Sequence, residues 1–458
     1  MDKAQALRQA MLTTMQLHPN PQDLVVTHIS RRAIAYSRSM NINQLNDPLE
    51  WAAAQWGQAQ LGDLRRNARA IQMGADMACQ PSGSLPEQMG SWSNLKAAYR
   101  LLAQTDVTHT ALSQPHWRAT QMEAKLCDSS VVLFVQDLSQ LDYTSHINTA
   151  NLGHIGDGGG RGLMVHSCLA LVPRASNPEI LGLAAQQVWT RSDVKRGQET
   201  RTERCARRTE FDVWAEVVES IGAAPPSTIA PMWVSVGDRG SDIFSYVKRS
   251  IAQNWHCLLR VCQDRVIQTI DGSFQRLKSF ARSLPVMSHK KIVLRGRSGQ
   301  PKRHVELQLA WQQVQIHPPR HGVERQQQPI GGWCIRCWEA NASPNQLEWI
   351  LFTTVPVTDV ESVRLVVDWY TYRWVIEEYH KCLKTGCGLE KRQLTTADGL
   401  KRLLGFLALV AVRLLQLRHL SRHHPQRLAR KFVPHEMLKV LVALFGLGDV
   451  EQLTMLEF

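Results

Sequence analysis

The sequence predicts an α/β fold of mixed layers, with a helical region before it and helix dominating after it. Two observations carry that prediction. Between about residues 128 and 264, near-continuous apolar runs of strand length are interrupted by helical patterns, in the order three strands, helix, strand, helix, strand. On either side, apolar residues recur at helical spacing instead. A chain of 458 residues has room for about three domains. Hydrophobic residues make up 44% of it, enough for a large core, which excludes wholesale disorder.

Residues 1–47 form a poorly patterned extension. Helices follow over Pro48–Trp56, Leu61–Ile71 and Ser93–Leu102, with Gly62 and Asp63 as a helix stop and the next N-cap. Pro81–Gly90, rich in glycine and proline, reads as a loop. The first strand is Val131–Asp137, the second Leu163–Val172 and the third Glu179–Trp189. Glycine-rich Gly153–Gly162 joins the first two; it lacks the Lys-Ser/Thr of a phosphate loop and fits a flexible, DNA-facing hairpin better. A helix over Thr209–Ile221 stops before Pro225-Pro226. Strand Met232–Asp238, helix Ile243–Asn254 and strand His256–Val261 complete the series. Residues 265–345 break the rhythm with short alternating stretches between glycine, proline and glutamine runs, a β-rich insertion with basic flanks. Helix returns from about 360.

The formal net charge of +13 points to a polyanionic partner, nucleic acid before membrane. The longest apolar run, Leu403–Val412, is ten residues, against about 20 for a membrane span. Met1–Arg8 has no apolar stretch of a secretory signal, and ten scattered cysteines fit a reduced cytosol. Cys334 and Cys337 are a lone CxxC, and strand alternation puts their sulfurs on opposite faces, against a zinc site. His423, His424 and Arg427–Lys431 form a basic patch that needs no role beyond a solvated surface.

Two aspartates, Asp137 and Asp238, each close a hydrophobic strand. Strand ends on a buried sheet are rigid platforms, and a carboxylate there can hold a divalent cation, although aspartate also simply starts turns. Tyr370–Lys384 reads as one helix on which Tyr370, Arg373, Glu377, Lys381 and Lys384 fall within an arc of about 80°. Ile376, Tyr379 and Leu383 cover the opposite face. That stripe is either a solvated face of i,i+4 pairs or a face turned into a site. Three carboxylates from two strand ends and a helix could bind two Mg²⁺ ions for in-line phosphoryl transfer.

Tyr370-x-x-Arg373-x-x-x-Glu377-x-x-x-x-x-x-Lys384 resembles the Y-R-E-K signature of DDE transposases of the IS-four insertion-sequence family, Tn-five-like in its surroundings. The resemblance extends to Leu61-Gly62-Asp63-x-Arg65-Arg66-x-Ala68-Arg69, Val165-His166-Ser167, Asp238-Arg239-x-x-Asp242-Ile243 and Ala411–Arg418. It implies a ribonuclease-H-like catalytic core with a β-rich insertion, preceded by a helical N-terminal DNA-binding domain and followed by a short helical tail. The expected boundaries are 48–125 for the DNA-binding domain, 126–264 and 346–420 for the two parts of the core, 265–345 for the insertion and 421–458 for the tail.

By the same resemblance, Asp137, Asp238 and Glu377 would be the catalytic, metal-binding triad for two Mg²⁺ ions, with Mn²⁺ as a substitute. Tyr370, Arg373 and Lys384 would contact terminal phosphates, with Lys381, Arg239 and Arg260 as further cationic contacts. Trp349 would stack on a flipped base, or else be a core strand tryptophan. Arg65, Arg66, Arg69 and Arg100 would lie in the domain that reads the terminal repeat. The implied activity is cut-and-paste transposition by a bacterial enzyme, cytoplasmic and nucleoid-associated. Its partners would be double-stranded DNA, as terminal repeats and target, and a second copy of itself in a synaptic homodimer. Only 40 residues follow Arg418, fewer than in the family's subunit-pairing tail. The alternative is therefore a catalytically incompetent relative that sequesters DNA ends or subunits.

Overall fold

Acidic caps set the first helices. In the computed structural model the Asp47 carboxylate accepts from the Leu49 and Glu50 amides at 2.7 and 3.2 Å, starting α1, Pro48–Trp56. Gly62 turns the chain with φ of +81°, and Asp63 accepts from the Arg65 amide at 2.7 Å to cap α2, Leu64–Cys79. The structure describes residues 47–157, 159–174, 177–191, 209–226, 230–294, 303–320, 323–340 and 346–458. The N-terminal extension, apart from residue 47, lies outside them.

The loop expected over Pro81–Gly90 contains a short helix, α3, Leu85–Met89, opened by a Ser84/Glu87 capping box. After α4, Trp92–Leu102, comes α5, His109–Leu126, which the sequence patterning does not reveal because Pro115 interrupts it. Its inner face, His109, Leu112, His116, Thr120 and Ala124, is buried. Neighbouring Gln121 donates to the Ala184 carbonyl at 2.8 Å.

The strands are β1 Val131–Asp142, β2 Gly153–Ile155, β3 Gly160–Val172 and β4 Glu179–Trp189. Then come α6 Asp212–Ile221, β5 Met232–Gly237, α7 Phe244–Ala252 and β6 His256–Arg260. Around β1 the order is β4-β3-β1-β5-β6, with β1, β5 and β6 parallel and β3 antiparallel to both neighbours. The glycine-rich stretch folds back as the β2–β3 hairpin. One expectation needs correction. Asp137 does not close β1; the strand continues to Asp142 along β3, and Asp137 sits where the parallel partner β5 stops.

Beyond β6 the same sheet runs on through β12, β11, β10, β7 and β8, with β9 also on β10. These are β7 Val266–Thr269, β8 Phe274–Arg276, β9 Ser288–Leu294, β10 Arg303–Ile316, β11 Ile330–Glu339 and β12 Glu348–Thr353, with α8, Leu277–Ser283, between β8 and β9. The inserted strands thus extend the central sheet through β12 instead of forming a sheet of their own. Cys334 and Cys337 lie buried in two different apolar layers, on opposite faces as alternation requires.

Those two layers explain the apolar runs. Val131, Leu133 and Val135 of β1 face one, and Val132 and Phe134 face the other, against α6 and α7. The first layer also holds the N-terminal helices, α9 Val360–Tyr372, α10 Trp374–Lys381 and α11 Ala397–His423. Helix α11 is long and apolar enough to cross a membrane by length and composition, but 72% of its apolar window is buried inside the protein, as in a core helix. Its Phe406 ring lies 5.2 Å from that of Trp56. A last helix, α12, His435–Phe445, packs through Leu438 into a small separate cluster with Phe432 and Met455.

Two stability predictions follow from this packing. A Cβ on Gly74 would lie 2.0 Å from a Trp56 ring carbon. Gly74→Ala should therefore destabilise by about 1–3 kcal/mol in urea denaturation, although alanine is the better helix former by about 1 kcal/mol. The second concerns acid. Burial pushes His109 and His116 down to about 4 and His166 to about 3. The unfolded chain takes up these protons near 6.5, so stability falls as pH drops from about 6.5 toward 4. Asp76 and Glu123, raised to about 7 by burial, act oppositely and lose stability as pH rises toward that value. His116 bonds Gln55 at 2.7 Å and the Leu183 amide at 3.0 Å, and glutamine can replace both contacts. His116→Gln should lose less stability than the parent between pH 7 and 5, compared by urea midpoints at each pH.

Candidate active site

The parallel pairing of β1 with β5 sets Val135 beside Val236, and Asp137 and Asp238 each lie two residues further on. Neighbouring strands are about 4.8 Å apart, so the carboxylates emerge side by side. Asp137 shares the face of Leu133 and Val135, the one covered by α10. There His380 Nδ1 lies 3.4 Å from Asp137 Oδ2. Asp238 caps a tight turn over Arg239–Ser241, its Oδ1 accepting from the Gly240 amide at 2.7 Å. Burial pushes the Asp238 carboxyl up and the Asp137 charge adds to the rise, opposed by the Gly240 amide, Arg373 and Arg260.

The stretch expected as one helix, Tyr370–Lys384, is broken. Helix α9 ends at Tyr372, the Arg373 and Ile376 amides bond three residues back, and α10 runs only from Trp374 to Lys381. A wider π-turn follows over Cys382–Gly386. The polar stripe is therefore dispersed. Tyr370 is buried, edge-on to the half-buried Trp349 ring at 5.1 Å. Lys381 is exposed, while Lys384 turns back to the Gln140 carbonyl and to Glu390 at 3.4 Å. Glu377 is paired with Arg373 at 2.6 Å. Among the described residues, no group of three or more His, Cys, Asp or Glu side chains is arranged to hold a metal ion. Two expected ligands thus stand together, and the third sits on the covering helix in an ion pair.

Cations surround the acid pair. Arg260, at the end of β6, donates to the Glu348 carbonyl at 3.1 Å; burial lowers its pKa, and Arg239 and Arg373 lower it further. The Tyr370 hydroxyl is pushed up to about 12 by burial, against the pull of Arg373 and Arg260. Two carboxylates beside three guanidinium groups can hold a divalent cation and neutralise a phosphodiester at one place.

Comparison with known families fits this arrangement. Residues 48–107 match the family described as transposase DNA-binding, and residues 197–413 match the transposase DDE domain. The chain joins a transposase DNA-binding domain to a transposase DDE domain. The matched DDE range includes Asp238 and Glu377 and begins after Asp137. In general terms the DDE domain is that of a nuclease or transposase enzyme, and the DNA-binding domain makes DNA its partner.

DDE domains generally use divalent metal ions, and the aspartate pair fits one. Carboxylates are hard oxygen donors, and a cation would relieve the repulsion that raises Asp238. Within the DNA-binding domain, Arg65 on α2 and Arg100 on α4 are exposed. Arg69 bonds Asn94 at 3.1 Å. Arg66 is held inward by the Leu61 carbonyl at 2.8 Å and by Gln104 and Asp106, both at 3.1 Å.

Helical and strand patterning gave no role to His380, Ser167 or Gln186, although Ser167 stands in the Val165-His166-Ser167 segment that carries the resemblance. His380 lies three residues after Glu377, within the stretch around Glu377 that carries the resemblance, and nothing in its spacing points to Asp137. Asp137→Asn should bring the Asp238 carboxyl part of the way back toward the usual range, leaving the contribution of burial. Carboxyl ¹³C NMR titration would show it, and an unmoved Asp238 would mean the two charges do not interact.

Proposed function

We infer that this protein is the transposase of a bacterial insertion sequence, which cuts DNA at transposon ends and joins them to target DNA. The observation that carries this is the Asp137–Asp238 pair, set on adjacent parallel strands of one sheet, with Asp238 inside the matched DDE range and Asp137 on the strand beside it, in a chain whose DNA-binding match comes first. The strand order β4-β3-β1-β5-β6, with β3 alone antiparallel, supports a ribonuclease-H-like core. Glu377, on the covering helix, supplies the third acid.

Asp137, Asp238 and Glu377 would hold two Mg²⁺ ions. When bound, the ions activate the attacking oxygen and stabilise the leaving oxygen of an in-line phosphoryl transfer. Arg373 can exchange the Glu377 carboxylate for a DNA phosphate, since both make charge-assisted pairs with a guanidinium. That exchange frees Glu377 to turn toward the aspartates. Arg260, Arg239, Lys381 and Lys384 neutralise neighbouring phosphates, and the Tyr370 hydroxyl orients the arginines beside it. Trp349, already half-exposed against Tyr370, offers a ring on which a flipped base stacks during hairpin formation. Arg65, Arg66, Arg69 and Arg100 engage the terminal repeat, and two chains pair in the synaptic complex on the bacterial nucleoid.

The test uses DNA carrying the inverted repeats that flank the gene, with Mg²⁺. The parent should nick at the repeat ends. Glu377→Gln should bind the ends without cutting them, and Arg69→Ala should weaken end binding by about 1–3 kcal/mol. Normal cutting by Glu377→Gln would overturn the assignment. End binding by the parent without cutting would favour a sequestering relative instead.

A further inference from the structure

A row of polar side chains crosses the sheet at Asp137. The strand register places Asp137 beside Ser167 of β3, and Ser167 beside Gln186 of β4. The row below on the same face is Val135, Leu169 and Leu183, all apolar. Packing alone would continue that pattern. Instead Ser167 and Gln186 are buried, together with His380 of α10 and His109 of α5. Buried polar groups are costly unless every one is bonded.

Here they are bonded in sequence. The Gln186 amide nitrogen donates to Ser167 Oγ and to the Tyr379 hydroxyl, both at 3.0 Å. Its carbonyl oxygen therefore accepts from His109 Nε2 at 3.0 Å. Ser167 Oγ lies 3.3 Å from His380 Nε2, and having accepted from Gln186 it still has its own proton to give. With that proton given to Nε2, the imidazole carries its own on Nδ1, the nitrogen 3.4 Å from Asp137 Oδ2.

We propose that His380 is a positioning residue for Asp137, aiming its carboxylate at a divalent cation, and that Ser167, Gln186 and His109 hold the imidazole in the tautomer that does so. The proposal rests on Asp137 being a cation ligand. Outer partners of this kind orient a ligating group and sharpen its affinity without touching the ion.

The experiment uses the full chain and Mn²⁺ alone, with bound metal read from loss of the free-ion EPR signal. Asp137→Asn and Asp238→Asn set the reference. If both bind Mn²⁺ as the parent does, the aspartate site itself is wrong and the proposal falls with it. Given loss of binding in those two variants, His380→Ala, while still folded by circular dichroism, should raise the Mn²⁺ Kd about tenfold. His380→Asn, whose side-chain amide stands in for Nδ1–H, should recover to within about threefold of the parent, and Ser167→Ala should weaken binding by less than His380→Ala. His380→Ala binding Mn²⁺ like the parent overturns the proposal. So does an asparagine variant no better than alanine, which would mean that bulk and not the N–H matters. Should the alanine variant fail to fold, the His380→Asn and Ser167→Ala variants decide; parent-like binding in Ser167→Ala removes the role of the row.

Discussion

Two like charges are set next to each other by a pair of parallel strands, and much of the molecule is arranged around that repulsion. A one-residue slip between β1 and β5 would turn Leu133, Val135, Val234 and Val236 out of their layer, so the register is fixed by burial on both faces. Once it is fixed, Asp137 and Asp238 have no choice of neighbour. Arg260, Arg373 and the Gly240 amide supply the opposing field, and α10 covers the pair with a histidine on one side and an acid on the other.

Much of the sheet was legible because burial on both faces writes itself as a near-continuous apolar run. Val131–Val135 and Leu163–Val172 have no alternation to misread, and the Gly62–Asp63 punctuation is local chemistry. The strands of the insertion were legible as strands. That they continue the central sheet was not, because β12 meets β6 only through a pairing distant in sequence, Leu351 with Arg260.

The site was legible as residues more than as geometry. Asp137 and Asp238 stood out at the ends of apolar runs, but the true end of β1 depends on β3, which carries the strand on to Asp142, past Val135, the last residue paired with β5. Helical periodicity carried Tyr370 to Lys384 as one stripe, since no proline or glycine lies within those residues to mark the tightened turn at Arg373 or the start of the π-turn at Cys382. Nothing in the periodicity links Ser167, Gln186 and His380 to one another. They belong to three elements and share a face only after the strands have paired.

Helix α11 is a shared spine. Phe406 stacks near Trp56 of α1, Arg402 donates to the Leu102 carbonyl at the end of α4, and Gln416 donates to the Ile180 carbonyl of β4. Gly405 lets it approach Leu112 of α5. Exchanging the first four helices for those of a cousin would strip one side of this spine and leave its greasy flank in water. Replacing that region as a unit would therefore cost the fold its packing along α11. Drift of solvent-facing side chains, such as those at Arg65 and Arg100, leaves the spine untouched.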